Sequence, residues 1–273
     1  MILIRSVHAE LRKLFSTRMW WVLALILLGY VAFTASVLAA VFGGLGEQLA
    51  SAGQPMPSDD IAPVIYAVAS TIGYVFPVLL GALVTTAEFR HQTLTPTFLA
   101  TPKRRYVLAA KALVMLVGGA LFGVIGLLGS IGPGAPILSL TGLDAELASA
   151  DTWALAGRVV VAMALWAVIG VGLGALIPSQ VAAIVVVVAF TQFVEPILRM
   201  APAVAEWTGD IIKFLPGAAS DALVGTSFYS ALTVGPGGAS TSLEWWQGGL
   251  VLAGIAAILL IAGAITTWRK DVT

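Results

Sequence analysis

Six stretches of this chain run almost without charge for long enough to cross a bilayer: residues 20–42, 61–87, 106–131, 153–177, 181–198 and 245–268. Crossing the hydrocarbon core takes about 20 apolar residues in a helix. Lipid offers the backbone no hydrogen-bond partners, so each run must satisfy its own amides and carbonyls. A barrel strand would alternate apolar and polar residues, and these runs are continuously apolar. The expected fold is therefore an all-α integral membrane protein with six transmembrane helices, forming a single transmembrane domain over residues 1–273. Composition agrees. The chain is 59% hydrophobic and only 10% charged, where a soluble domain is nearer a quarter charged.

No segment outside these runs is large enough for a core of ordinary size. The longest, residues 199–244, is itself half apolar. The first run is about twice as long as the roughly 7–15 residues of a signal-peptide core, so it is expected to remain as a span. With no cysteine, disulfides and thiolate metal sites are excluded. Two histidines are too few for a histidine-rich metal site. There is no Walker A, HExxH or GxSxG pattern. Gly170, Gly172 and Gly174 spell GxGxG inside an apolar run. A dinucleotide site needs a strand before that motif and a helix after it, so close helix packing is expected instead. Gly118, Gly119, Gly123 and Gly126 in the third run read the same way.

Basic residues set the orientation. With the N-terminus, the 88–105 loop and the C-terminus on one side, 11 Lys/Arg lie there; only Arg158, Arg199 and Lys213 lie opposite. Cytoplasmic loops carry the basic excess, so both termini are expected in the cytoplasm of a multi-pass protein of the cell membrane. Trp20, Trp21, Tyr106 and Trp268 mark the inner surface, and Trp153, Trp245 and Trp246 the outer one.

Before the first span, Ile4, Val7, Leu11, Leu14 and Phe15 recur at helical spacing, with Arg5, His8, Arg12 and Ser16 on another face. Residues 1–19 are thus expected to form an amphipathic interface helix. It could anchor on anionic lipid, dock a cytoplasmic partner, or do both.

The segment from Ala87 to Lys111, AEFRHQTLTPTFLATPKRRYVLAAK, carries five of the fourteen Lys/Arg. Thr93 and Thr95 can cap a short helix, Pro96 suits its first turn, and Pro102 closes it before the basic cluster 103–105. The helix would offer an apolar side at Leu94, Phe98 and Leu99. A basic loop serving topology alone is the plainer reading.

The stretch Glu88–Pro102, together with the layout of the whole chain, resembles the permease subunits of ABC-2 type exporters. That family shows a pattern near E-x-x-x-G-T-L-x-x-x-L-x-x-P in this loop. Glu88, Thr93, Leu94 and Pro102 sit comparably, with Leu99 close to the apolar position; Gln92 stands where glycine is usual. The resemblance implies that residues 88–102 form a coupling helix seated in a separate ABC ATPase subunit. Glu88, Phe89, Arg90, His91, Thr93, Leu94, Phe98 and Leu99 would make the contact, with Arg5, His8 and Arg12 beside it. A second permease copy, identical or paralogous, would pair with the first. ATP and Mg would be bound by the partner subunit. This chain would carry no cofactor, no metal and no catalytic residue, and its other partners would be membrane lipids, with no nucleic acid.

The resemblance also places short re-entrant helices in the last outer loop. There Asp210–Val234 is apolar on both sides of a break at Pro216-Gly217. Spans two and five would line the pathway, where Ser70, Thr71, Tyr74, Thr191 and Gln192 are the polar residues. So weakly polar a route suits an apolar or amphipathic cargo (a lipid, a peptide or a drug) moved outward. Arg158 and Glu195 lie near span ends. They are read either as ordinary interfacial charges or as a salt bridge that fixes an outer gate.

Two other classes stay open: a polytopic membrane enzyme acting on lipid, and a structural or immunity-type membrane protein without an ATPase. The enzyme would need paired carboxylates, or a histidine with an acid, at an interface. Co-purification of an ATP-binding protein separates all three.

Overall fold

A computed structural model describes residues 2–51, 61–100, 104–199, 206–226 and 243–266. These residues form helices and no strand. Six helical segments are long and apolar enough to span a membrane: Met19–Gly44, Ile61–Arg90, Arg104–Leu140, Ala150–Leu176, Gln180–Arg199 and Trp245–Thr266. In chain order the elements are α1 (Ile2–Ser16), α2 (Met19–Ser51), α3 (Ile61–Thr71), α4 (Val75–Arg90), α5 (Leu94–Ala100), α6 (Arg104–Leu140) and α7 (Ala150–Leu176). Then come α8 (Gln180–Ala189), a π-helical turn (Phe190–Val194), α9 (Glu195–Arg199), α10 (Gly209–Ile212), α11 (Pro216–Val224) and α12 (Trp245–Thr266).

Three spans depart from the sequence reading. The second is two helices, with a break at Ile72–Tyr74. Pro77 has no amide to give the Gly73 carbonyl, and Phe76 N donates to it instead in a tighter turn, at 3.1 Å. The third continues from the expected end at Ile131 to Leu140, through Pro133 and Pro136. Beyond those prolines Gly134, Ala135 and Leu138 are buried, so packing sustains the helix past two residues that read as its stop. At 1.5 Å per residue α6 is roughly 55 Å long, well beyond a hydrocarbon core of about 30 Å. The fifth contains the π turn just before Glu195 and Pro196. Outside the described residues lie Pro102, Lys103, Trp268 and the basic pair at 269–270, as well as 227–234 of the outer loop.

Between helices in lipid there is little hydrophobic drive, so close backbone approach does the holding. Here α7 is the hub. Gly170 and Gly174 of α7 lie against the backbone of α4 at Val78 and Ala82, Gly81 of α4 lies against Ala167, and Gly172 lies against Leu259 of α12. The GxGxG run is thus a packing device that serves two neighbours from one helix. Gly119 and Gly123 of α6 meet Met163 and Val160 of α7 in the same manner, and Gly126 meets Ala69 of α3. Around these crossings Trp166, Tyr66, Phe122, Met115 and Met163 fill the core. Near the end of the bundle opposite α1, α11 lies across α12, with Gly248 against Ala219 and Leu223.

Candidate functional site

One end of the bundle gathers α1, the end of α4, α5, and the starts of α6 and α8. Helix α4 ends at Arg90, and the chain turns sharply. His91 N donates to Ala87 O at 2.9 Å and Thr93 N to Glu88 O at 3.0 Å. Gln92 between them has φ +52, a left-handed conformation that is costly for a side chain with Cβ. It is the position where the resembled family carries glycine. The turn delivers α5, whose first residue follows Thr93. Thr97 N and Oγ1 both donate to Thr93 O, at 3.3 and 2.8 Å, and Pro96 falls in the first turn as expected.

The expected apolar side of α5 is split. Leu94 is buried and roots the helix; Phe98 is half-buried beneath the Arg104 guanidinium, 4.8 Å from its ring centre; Leu99 is 79% exposed. His91, Thr93, Thr95 and Pro96 are exposed as well. Phe89 packs against the core, and Arg90 Nη1 donates to Gln180 Oε1 at the start of α8, at 3.0 Å.

Beneath this turn lies a buried ion cluster. Glu10 of α1 is 3% exposed and Lys111 of α6 only 1%. Lys111 Nζ lies 2.5 Å from Glu10 Oε2 and 3.3 Å from Glu88 Oε1. Lys13 Nζ lies 2.7 Å from Glu10 Oε1 and 2.7 Å from Glu88 Oε1. Two cations and two carboxylates therefore close on each other, joining α1 to the ends of two spans. Burial opposes ionisation of Glu10, but Lys111 and Lys13 outweigh it and hold the carboxyl below its ordinary range. Burial likewise opposes the Lys13 ammonium, but Glu10 and Glu88 hold it above the ordinary lysine range. Of these four, the sequence points to Glu88 alone as a site residue, and Lys111 reads there only as a topology charge.

The cluster also resets α1. Ser6, Glu10 and Leu14 face the bundle, one turn apart, with Val7 and Leu11 partly covered. Ile4 and Phe15, on the expected apolar stripe, are left uncovered by the bundle. The covered stripe combines Val7, Leu11 and Leu14 with the ion-paired Glu10 and Lys13. Phe15 meets Trp20 edge-on at 5.1 Å. Arg5, His8 and Arg12 lie on the uncovered face.

Toward the middle and the opposite end, the polar residues of spans two and five meet. Tyr74 Oη, at the break in span two, donates to Thr191 O in the π turn at 3.1 Å. The ring stacks on Trp166 at 4.4 Å, whose Nε1 donates to Ser220 Oγ of α11 at 3.0 Å. Thr191 Oγ1 donates to Val187 O at 2.8 Å, and Ser70 Oγ to Ala67 O at 3.0 Å. Gln192 is exposed. Tyr74, Thr191 and Ser70 are thus tied within the packed chain, while Gln192 faces outward.

The Arg158–Glu195 pair, one of the two readings of these charges, is not formed. Glu195 Oε1 accepts from Gly217 N at 2.6 Å and from Arg199 Nη2 at 3.2 Å. Arg199 Nη1 also reaches Asp221 Oδ2 of α11 at 2.6 Å. Arg158 instead lies over the Trp245 ring at 5.1 Å. Glu195 is paired instead with Arg199, four residues along the same helix.

Among the described residues no three His, Asp or Glu side chains converge as metal ligands would. The chain matches no protein-family model and no curated protein; its described residues form helices without strands, and six of the helical segments are long and apolar enough to make it a multi-pass membrane protein.

Proposed function

We propose that this chain is the permease subunit of an ABC-2 type exporter, moving an apolar or amphipathic cargo outward under the drive of a separate ATPase subunit. The observation that carries the reading is the turn at Gln92. A left-handed residue stands where the resembled family has glycine, and it swings a short helix out of the line of span two. That helix is rooted by Leu94 and offers Leu99, Pro96 and Thr95 to a partner. The Glu10–Lys13–Glu88–Lys111 cluster ties α1 into the same block. A push on α5 would then move α1, α4 and α6 together, as a rigid-body switch requires. In this reading the α1–α5 end faces the cytoplasm, and a second copy completes the transporter. Helix α11, clamped between α7, α9 and α12, supplies the short outer helix that such a pathway calls for.

The test is capture of an ATP-binding subunit by the tagged full chain in mild detergent. We expect an ATP-hydrolysing protein to co-purify with the wild type, and Leu99→Asp, which changes an exposed side chain, to reduce capture at least tenfold. Recovery of the folded chain without any such protein, from cells of its own source, would end the proposal.

A further inference from the structure

At the end of the bundle opposite α1, one guanidinium sits between two carboxylates. Arg199 bonds Glu195 at 3.2 Å and Asp221 at 2.6 Å, so with both acids ionised the trio carries one net negative charge. The sequence supplies only two other basic residues at this end, Arg158 and Lys213. Arg158 lies over Trp245, and Lys213 pairs with Asp210 at 2.9 Å. From span two the nearby ionisable group is the Tyr74 phenol, whose hydroxyl donates to the Thr191 carbonyl one turn before Glu195.

The two carboxylates are not equivalent. The Asp221 side chain is partly exposed. Glu195 is 1% exposed; its Oε1 accepts two hydrogen bonds, while its Oε2 is buried with no partner among the described residues. An anionic oxygen buried without a donor is costly, and buried charge left uncompensated is neutralised instead. A proton on Oε2 removes the charge and leaves both bonds at Oε1 intact.

We infer that Glu195 is a proton-binding site, occupied while α11 is seated, and that release of this proton to the aqueous phase at that end unseats α11. Glu195 caps the first turn of α11 through Gly217 N, where Leu215 at the cap position offers no side-chain bond. The crossing is so close that a side chain at Gly217 would run into the Glu195 carboxyl and the Arg199 guanidinium. Ionising Glu195 therefore leaves two carboxylates sharing the one Arg199 guanidinium, a net negative charge at the point where α11 meets span five. The inference stands on this cluster alone and does not depend on the transport reading.

The full chain in lipid nanodiscs tests it twice. Infrared difference spectra should show a neutral buried carboxyl at neutral pH that is lost in Glu195→Gln and kept in Asp221→Asn. Retention of the band in Glu195→Gln, or its loss only in Asp221→Asn, overturns the assignment. Because the chain has no cysteine, a single Ser220→Cys, buried on α11, reports seating. Between about pH 6 and about pH 9 its labelling should rise roughly tenfold more than in a Glu195→Gln, Ser220→Cys chain, in which the thiol still titrates and residue 195 does not. Equal rises in the two backgrounds overturn the link between the proton and α11. The amide keeps the carbonyl that accepts from Gly217 and Arg199, so a folded control is available.

Discussion

Lys111 reaches back across 101 residues of sequence to place its ammonium 2.5 Å from the Glu10 carboxylate. Neither group has water to turn to, and each depends on the other and on Lys13 and Glu88 for its charge to be tolerable. Taking away one member of a buried pair leaves the other uncompensated, at about 3–5 kcal/mol. Lys111→Met should therefore lower thermal stability in detergent by that order and expose α1 to protease. Glu10→Met added to Lys111→Met should recover part of the loss, because an apolar pair avoids the unmatched charge. A double-mutant cycle showing additive losses would refute the coupling.

Acid and alkali should act on this cluster from opposite sides. Glu10 titrates lower folded than unfolded, so its contribution is complete above the ordinary carboxylate range and is lost as pH falls through the lowered value. Lys13 titrates higher folded than unfolded, so its contribution is complete below the ordinary lysine range and is lost as pH rises through the raised value. The seat of α1 is thus flat across neutral pH and fails at both extremes. Trp20, against Phe15 of α1, reports it: the fluorescence difference between wild type and Trp20→Phe should hold steady across neutral pH and change only at the two ends.

Gln92 bears a backbone conformation that glycine adopts freely. Gln92→Gly should raise stability by up to about 1 kcal/mol, and Gln92→Val should lower it by about 1–2 kcal/mol. Thermal melts of the purified chain decide; equal midpoints for the two variants would mean that the turn is not left-handed.

Two glycines of α7 should behave differently. A side chain at Gly170 would enter the Val78 backbone of α4, whereas one at Gly157 meets open space. Gly170→Val is expected to cost about 1–3 kcal/mol and Gly157→Ala to stay within about 0.5 kcal/mol. Unfolding in a denaturing detergent series measures both.

The spans were legible because lipid imposes one rule on every residue of a run, and a run of about 20 satisfies it visibly. GxGxG read correctly for a related reason: inside an apolar run, small residues have packing as their use. The break at Ile72–Tyr74 was hidden because Gly73 and Pro77 sit in a stretch whose hydropathy never falters. The passage of α6 through Pro133 and Pro136 was hidden because local signals argued for a stop and tertiary packing overrode them. The short helix after span two could be read from Thr93, Pro96 and Leu94. The ion cluster under it could not, since Glu10, Glu88 and Lys111 meet only once three distant segments are folded, and each taken singly looks like a charge at a span boundary. The same gap explains Glu195. The sequence offers Arg158 as its candidate partner, and the fold gives it Arg199 instead.

The seat of α1 also sets an order of assembly. Glu10 and Lys13 leave the ribosome before residues 88 and 111 and can pair with each other, yet Glu88 and Lys111, which complete the cluster and join it to the spans, come later. During synthesis that helix must wait undocked at the membrane surface until the third span has begun to emerge. A nascent chain stopped before residue 111 should leave that helix undocked, which makes its docking a late step in the biogenesis of a segment that is translated ahead of its partners.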